Sequence, residues 1–445
     1  LEIMIDMVYY SKRGGTNMNN LILKSISASN FGPFKEKCYF TTESNISKKE
    51  LLDRNTIEMR EERYNKVSYI YGTNGAGKTN LCRVISQIQK LIMLSPIIAS
   101  NNPQLLELQP FKDELNSKVN YFKLAKGCNE EATEFGIELI MNGITYSYSF
   151  KILNDNIIEE ILKKKNKRTE IILNRTSSHY DDIILKSELS SFKANISVVK
   201  ENVLCLSMAA FLNNPFATEL VKAIDSIKVI NMSSMLGIKN LSREEYNQEN
   251  IDKYLKILKL ADPTLKDLKV SFTESKIEKQ KMGADDFENR ELVISNISVD
   301  VKSIHNIYDG DEITDEIELP FLKIESNGTI RMLNIIPNLI NTLENGGILV
   351  IDEIENGLHP NLVKILIDYF YNKDINKNNA QLICTSHNML LVEKNVRRDQ
   401  VWVISKNKYG QSYLKRLTDF KIRIGENLSQ KLLKEAFGDF PKIEY

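Results

Sequence analysis

Apolar and polar positions along the 445-residue chain change period several times. Residues 21–42 alternate, with Gly32-Pro33 as a turn, which predicts a pair of strands. Residues 43–65 are charged and read as a surface segment. Val67-Ser-Tyr-Ile-Tyr71 reads as a short strand, followed by a glycine-rich turn and a helix-like stretch over 79–92. The clearest hairpin lies at 134–152. There Phe135, Ile137 and Leu139 alternate, Asn142-Gly143 supplies a turn with positive φ, and Ile144, Tyr146, Tyr148 and Phe150 alternate again. Ile251, Tyr254, Leu255 and Leu258 form one stripe of an amphipathic helix, and the middle third reads as mostly helical. Residues 273–292, rich in Lys, Glu and Asp, read as an exposed loop or hairpin tip. From 316 onward, strand-like 348–351, 381–384 and 401–405 interleave with helical 362–371, which predicts a largely parallel sheet covered by helices. Residues 1–17 look unlike the rest. The expected organisation is a leader over 1–17, an N-terminal lobe over 18–200, a mostly helical insertion over 201–315 and a C-terminal lobe over 316–445.

Composition narrows the class. Hydrophobic residues are 42% and charged residues 27%, as in ordinary globular chains and unlike disordered ones. Lys plus Arg and Asp plus Glu both number 59, so a nucleic-acid coat or polybasic membrane binder is not expected. Lys163 to Lys165, Lys167 and Arg168 lack interleaved aromatics and read as a solvated turn; nucleic acid is permitted but not indicated. Cys38, Cys82, Cys128, Cys205 and Cys384 are far apart, which excludes a disulfide framework or cysteine-only zinc site and suits a cytoplasmic chain. No apolar run approaches the roughly 18 residues of a membrane span.

The chemistry concentrates in three places. Gly72-Thr73-Asn74-Gly75-Ala76-Gly77-Lys78-Thr79 fits GxxxxGK(S/T) at every fixed position, between a predicted strand and a predicted helix. Glycines let successive N–H groups converge on a phosphate, and the helix adds its positive end. Lys78 is expected at the β- and γ-phosphates of ATP and Thr79 at Mg²⁺, with Asn80 completing the nucleotide-binding stretch. Ile348-Leu-Val-Ile351 ends in Asp352-Glu353, a buried strand with two acids at its carboxyl end. Asp352 is placed to hold Mg²⁺, and Glu353 to polarise the attacking water. Alone, two acids after a strand are common; beside a phosphate loop they become catalytic candidates. Gln381-Leu-Ile-Cys384 leads to Thr385-Ser386-His387, where His387 can donate to a γ-oxygen.

Together these segments resemble the ATP-binding-cassette class of ATPase heads. The resemblance implies a P-loop NTPase fold of the ABC-ATPase head type: an α/β mixed sheet flanked by helices, with an antiparallel β subdomain and a helical insertion. It also implies a head-to-tail sandwich. Glu325-Ser-Asn-Gly-Thr329 sits where the class carries its signature, so Ser326 and Gly328 would touch the γ-phosphate held by the other subunit. The form departs from LSGGQ, and a plain helix cap is the other reading. Gln109 would be the Mg²⁺-sensing glutamine, and 356–359 the loop that crosses the dimer seam.

A resemblance over nearly the whole chain is to prokaryotic stand-alone AAA-type ATPases related to the ATPase part of overcoming-lysogenization-defect proteins. It rests on Ala28-Ser-Asn-Phe31, Gln109-Pro-Phe111, the hairpin at 146–150, Asp352-Glu-Ile-Glu-Asn-Gly-Leu-His-Pro360 and the tail at 398–421. The closing glycine element departs slightly, as Phe437-Gly-Asp-Phe-Pro441. The resemblance implies Mg-ATP hydrolysis in a homodimer or higher homo-oligomer that controls a separate effector, a nuclease or toxin, in abortive-infection or antiphage defence. Alternatives are a DNA-repair ATPase head and an ATP-bound scaffold that does not turn over. The 58 residues after His387 are too few for a fused Toprim nuclease, and no paired heptads suggest a long coiled coil.

Overall fold

The computed structural model describes residues 21–100, 119–234, 246–282, 290–388, 391 and 395–420. The leader at 1–17, Gln109 and the closing Phe437–Pro441 element lie outside them. The chain forms two compact units: Leu1–Met232 with Leu339–Asn356 and Val363–Tyr445, and Ser233–Asn338 with Gly357–Leu362.

Two large sheets build the first unit, with strands numbered in chain order. One has six strands in the order β11-β15-β16-β5-β17-β18. These are Lys228–Asn231, Ile348–Asp352, Gln381–Ser386, Val67–Gly72, Val401–Lys406 and Ser412–Arg416. The first five run parallel and β18 returns antiparallel. Every residue of β5, β15 and β16 is buried, which is why none of them alternates apolar with polar and why Ile348–Ile351 reads as an unbroken apolar run. The other sheet is an antiparallel set of seven, β10-β9-β8-β7-β6-β1-β2. From β1 to β10 these are Ile22–Ser29, Cys38–Thr41, Thr133–Met141, Ile144–Leu153, Asn156–Lys165, Thr169–Arg175 and Ile183–Leu185, with β3 to β5 intervening in sequence. The expected hairpin is β6–β7, closed by Asn142 at φ 51° and Gly143 at φ 73°, the left-handed pair a two-residue turn demands.

The helix Lys78–Ser100 lies between the two sheets, packing on β1 and β6 of one and on β5, β11 and β15 of the other. Its Leu81, Cys82, Val84, Ile85, Ile88 and Ile92 belong to the main core. By length and composition alone Lys78–Ala99 could cross a membrane; burial between the sheets accounts for its apolar character.

Residues 43–65 are more than the surface segment expected from their charge. They hold a two-stranded hairpin, β3 (Thr56–Met59) and β4 (Glu62–Asn65), whose Ile57 and Tyr64 are buried with Ile22 and Ile140. Two apolar positions in a charged stretch suffice to anchor it.

In the second unit, helix Gln248–Leu258 follows the expected stripe, burying Ile251, Tyr254, Leu255, Ile257 and Leu258, with Asn247 Oδ1 accepting from Asn250 N at 2.9 Å. The mostly helical reading of 201–315 ends there. Beyond it comes a three-stranded antiparallel meander, β12 (Leu265–Met282), β13 (Arg290–Asp309) and β14 (Glu312–Pro320). Of the two readings of 273–292, hairpin rather than loop is found, with strand reaching Met282 on one arm and starting at Arg290 on the other. On either side of that stretch, charges pair across the strands: Lys269 and Lys302 both meet Glu318, at 2.7 and 3.2 Å, and Lys266 meets Glu316. Such cross-strand pairs stabilise a sheet face that needs no apolar alternation. Gly310, at φ 61°, turns the chain between β13 and β14.

One buried ion pair ties the seven-stranded sheet to the helix Cys205–Phe211. Glu160 on β8 and Arg175 on β9 are both fully buried, 3.9 Å apart. Glu160 accepts from Tyr148 Oη at 2.9 Å, Cys205 N at 2.7 Å and Leu206 N at 3.0 Å. Burial pushes its carboxyl pKa up, against the two backbone N–H groups and Arg175. Arg175 donates to the carbonyls of Ser177, Ser178, Lys200, Glu201 and Val203. Removing one partner strands the other charge, so Glu160→Ala should destabilise the fold by about 3–5 kcal/mol, read from the urea midpoint. Glu160→Ala melting with the wild type would contradict this account.

Candidate functional site

β5 ends at Gly72, and the next five residues form the phosphate loop before the helix opens at Lys78. Two glycines are required by packing. A Cβ on Gly72 would stand 2.5 Å from the Ile404 carbonyl of β17, and Gly77, at φ 113°, lies against Pro33 and Ser412. Ser412 braces the loop, donating from Oγ to Ala76 O at 2.5 Å and from N to Pro33 O at 2.8 Å. Asn80, on the first helical turn, lies against Gly32 of the β1–β2 turn. Asn74 and Gly75 are exposed at the crest, and Gly75 has φ 73° with open space beside it.

Lys78 is 5% exposed. Its Nζ donates to Gly72 O at 2.8 Å and Thr73 O at 3.1 Å, and lies 3.3 Å from His387 Nδ1. Burial pushes its pKa down, opposed by Asp352, Glu353 and Glu355. A cation facing three carboxylates, beneath a loop whose crest carries no side chain larger than Asn, fits a Mg-nucleotide.

The acids come to the same sheet edge by strand order. β16 lies between β5 and β15, so Gly72, Asp352 and His387 are at or just beyond three neighbouring carboxyl ends. Asp352, 2% exposed, accepts from Thr385 Oγ1 at 2.7 Å and Asn231 Nδ2 at 3.1 Å. Glu353 takes φ 57°, a left-handed conformation a non-glycine residue adopts at a cost. Its N–H donates to Thr385 Oγ1 at 2.8 Å, and its Oε2 accepts from Asn356 Nδ2 at 3.1 Å. His387 N donates to Glu355 Oε1.

A family model described as "AAA domain, putative AbiEii toxin, Type IV TA system" matches residues 67–204 and 206–393, a span that holds the phosphate loop, the acidic strand and His387. The chain belongs to this AAA-domain family. Membership implies nucleotide binding. No curated protein matches the chain. Among solved structures it is similar to the SMC head domain from Thermotoga maritima, at 11% identity, covering 88% of this chain and 98% of that chain with a TM-score of 0.35.

In this AAA-domain chain, Ser326 and Gly328 belong to the second compact unit. Ser326 Oγ accepts from Thr329 N at 3.1 Å, capping helix Asn327–Asn345. The helix-cap alternative is therefore present in this chain. Gly328 lies against the Gly357 carbonyl, and the Arg331 side chain lies over Gly357. Glu325 Oε1 is 2.9 Å from His305 Nε2. The sequence assigned no site role to Asn231, Thr385, Glu355 or His305, and placed Asn356 in the 356–359 loop rather than on Glu353. Asn356 and Glu355 stand beside the acidic pair in the chain and could have been proposed; Asn231 lies 121 residues from Asp352 and gave no signal.

What burial His387 has, and then the Lys78 ammonium, push its pKa below the ordinary histidine value, while Glu355, Glu353 and Asp352 oppose the shift. Lys78 can only donate, so Nδ1 accepts and the ring hydrogen belongs on Nε2. NMR titration of the imidazole should give a midpoint below 6.5, moving upward in Lys78→Ala. The unfolded chain binds this proton more readily, so the group's contribution to stability falls as pH drops through that window. A midpoint at or above 6.5 would be incompatible with the site as described.

Proposed function

We propose that the chain hydrolyses Mg-ATP and uses the cycle as a head-to-tail dimer switch that holds or releases a separate effector, a nuclease or toxin. The convergence of Lys78, Asp352, Glu353 and His387 at adjacent strand ends carries the ATPase reading. Backbone N–H groups of 75–79 bind the β-phosphate, and Lys78 exchanges loop carbonyls for β- and γ-oxygens. Thr79 and Asp352 would hold Mg²⁺; when bound, the ion neutralises charge on the β- and γ-phosphates. An ion held by one carboxylate, a hydroxyl and substrate phosphates is the usual arrangement for Mg²⁺. Gln109 is proposed as its sensor. Glu353 orients the water and takes its proton, and neutral His387 donates from Nε2 to the γ-phosphoryl group.

The lobes proposed over 18–200 and 316–445 supply the phosphate loop and the acidic strand. Ser326 and Gly328 would complete the site of a second subunit. The family's description, which names a toxin of a Type IV system, supports a role in toxin–antitoxin or abortive-infection defence, and we place that role in the cytoplasm.

Glu353→Gln should leave ATP binding nearly intact and cut turnover by about 10²–10⁴, whereas Lys78→Ala should abolish binding. Phosphate release alongside nucleotide-binding titrations checks both, and wild-type turnover in Glu353→Gln would remove the catalytic assignment.

The sandwich has its own test. Ser326→Arg and Lys78→Ala chains should each be inactive alone. Mixed, they should regain one competent site per heterodimer, built from the phosphate loop of the first and the signature of the second. No recovery on mixing, with turnover by monomers at every concentration in sedimentation, would contradict it.

A further inference from the structure

We propose that Thr385 is a positioning residue for hydrolysis, binding the carboxylate of Asp352 and the backbone of Glu353 into one unit; the proposal rests on the ATPase reading above. β15 and β16 pair in parallel with Ile351 opposite Cys384, which puts Thr385 beside Asp352 with its side chain fully buried. Its hydroxyl has one hydrogen. The Glu353 N–H can only donate, so Oγ1 accepts there at 2.8 Å and gives its own hydrogen to Asp352 Oδ1 at 2.7 Å. The Thr385 carbonyl accepts from Ile354 N at 3.1 Å. One residue thus grips three consecutive positions of the acidic segment.

This grip acts at a strained point of the backbone. Glu353 sits at φ 57°, a conformation that persists only where its surroundings hold it. Thr385 fixes its N–H, and Asn356 fixes its Oε2. Asn231 holds the second oxygen of Asp352 from the opposite neighbouring strand. The carboxylate meant for the metal is therefore oriented from both sides, and the glutamate meant for the water takes its direction from the same hydroxyl. A β-branched side chain has few χ1 choices in a packed strand, so the oxygen stays aimed between the two acids. Without it, Glu353 loses the acceptor that holds its backbone and the water-polarising carboxylate drifts.

The test is a double-mutant cycle on full-length protein, with turnover, ATP KM and melting temperature measured for wild type, Thr385→Val, Glu353→Gln and the double variant. Thr385→Val should lower kcat by about 10–100-fold, the order expected from a displacement near 1 Å, with KM for ATP unchanged. Thr385→Ser, which keeps the oxygen, should recover most of the loss. In the Glu353→Gln background Thr385→Val should cost clearly less than in the wild type, because the part of its effect that runs through Glu353 is already lost and only the part through Asp352 remains. A merely structural role would instead lower melting temperature and turnover alike in both backgrounds. Wild-type kcat in Thr385→Val, or an equal loss in both backgrounds, overturns the positioning role while leaving Glu353 catalytic. Wild-type turnover in Glu353→Gln overturns the ATPase assignment of that residue, and this proposal with it. If the valine chain does not fold, Thr385→Cys keeps the volume with a weak donor and carries the same expectations.

Discussion

The buried ammonium of Lys78 is the constraint on which the rest of the site depends. A cation with so little water around it must be met by fixed acceptors, and the chain supplies them in two tiers. Gly72 and Thr73 carbonyls take the direct hydrogen bonds, and the carboxylates of Asp352, Glu353 and Glu355 supply a favourable field. Neither tier exists without a parallel sheet. The loop carbonyls face inward because β5 stops at Gly72 and the helix begins at Lys78. The carboxylates arrive because β16 and β15 end at the same edge.

Much of this was legible in the sequence because its signals are local. The phosphate loop needs glycines at fixed intervals between a strand and a helix, and all of those lie within eight residues. Apolar runs such as Ile348 to Ile351 announce strands buried on both faces. The β6–β7 hairpin was legible for the same reason: alternation on both arms and a turn dipeptide that tolerates positive φ.

What escaped depends on pairings between distant segments or on charges used against type. The length of the β12–β13 hairpin escaped because the Lys, Glu and Asp of 273–292 suggested only an exposed loop or hairpin tip; beside that stretch Lys266 and Lys269 answer Glu316 and Glu318 on β14, about fifty residues away. The pair Ile57 and Tyr64 gave too short a signal against the charges around it. In the site, Asn231 and Thr385 are ordinary strand-end residues until the order β11-β15-β16 places them on either side of Asp352.

The left-handed Glu353 shows why that lateral support matters. A strand that simply continued past Asp352 would send the next side chain to the opposite face of the sheet. Reversing φ at Glu353 breaks the alternation and keeps two consecutive acids available at one edge, at a local cost in backbone energy. Glycine would relieve the cost but remove the carboxylate. On the catalytic role proposed for it, the residue is both strained and functional, and its conformation has to be imposed by neighbours. The hydrogen bonds from Glu353 N to Thr385 and from Asn356 to Oε2 supply that imposition, so the chemistry at this edge rests on how the parallel strands pair as much as on the acids themselves.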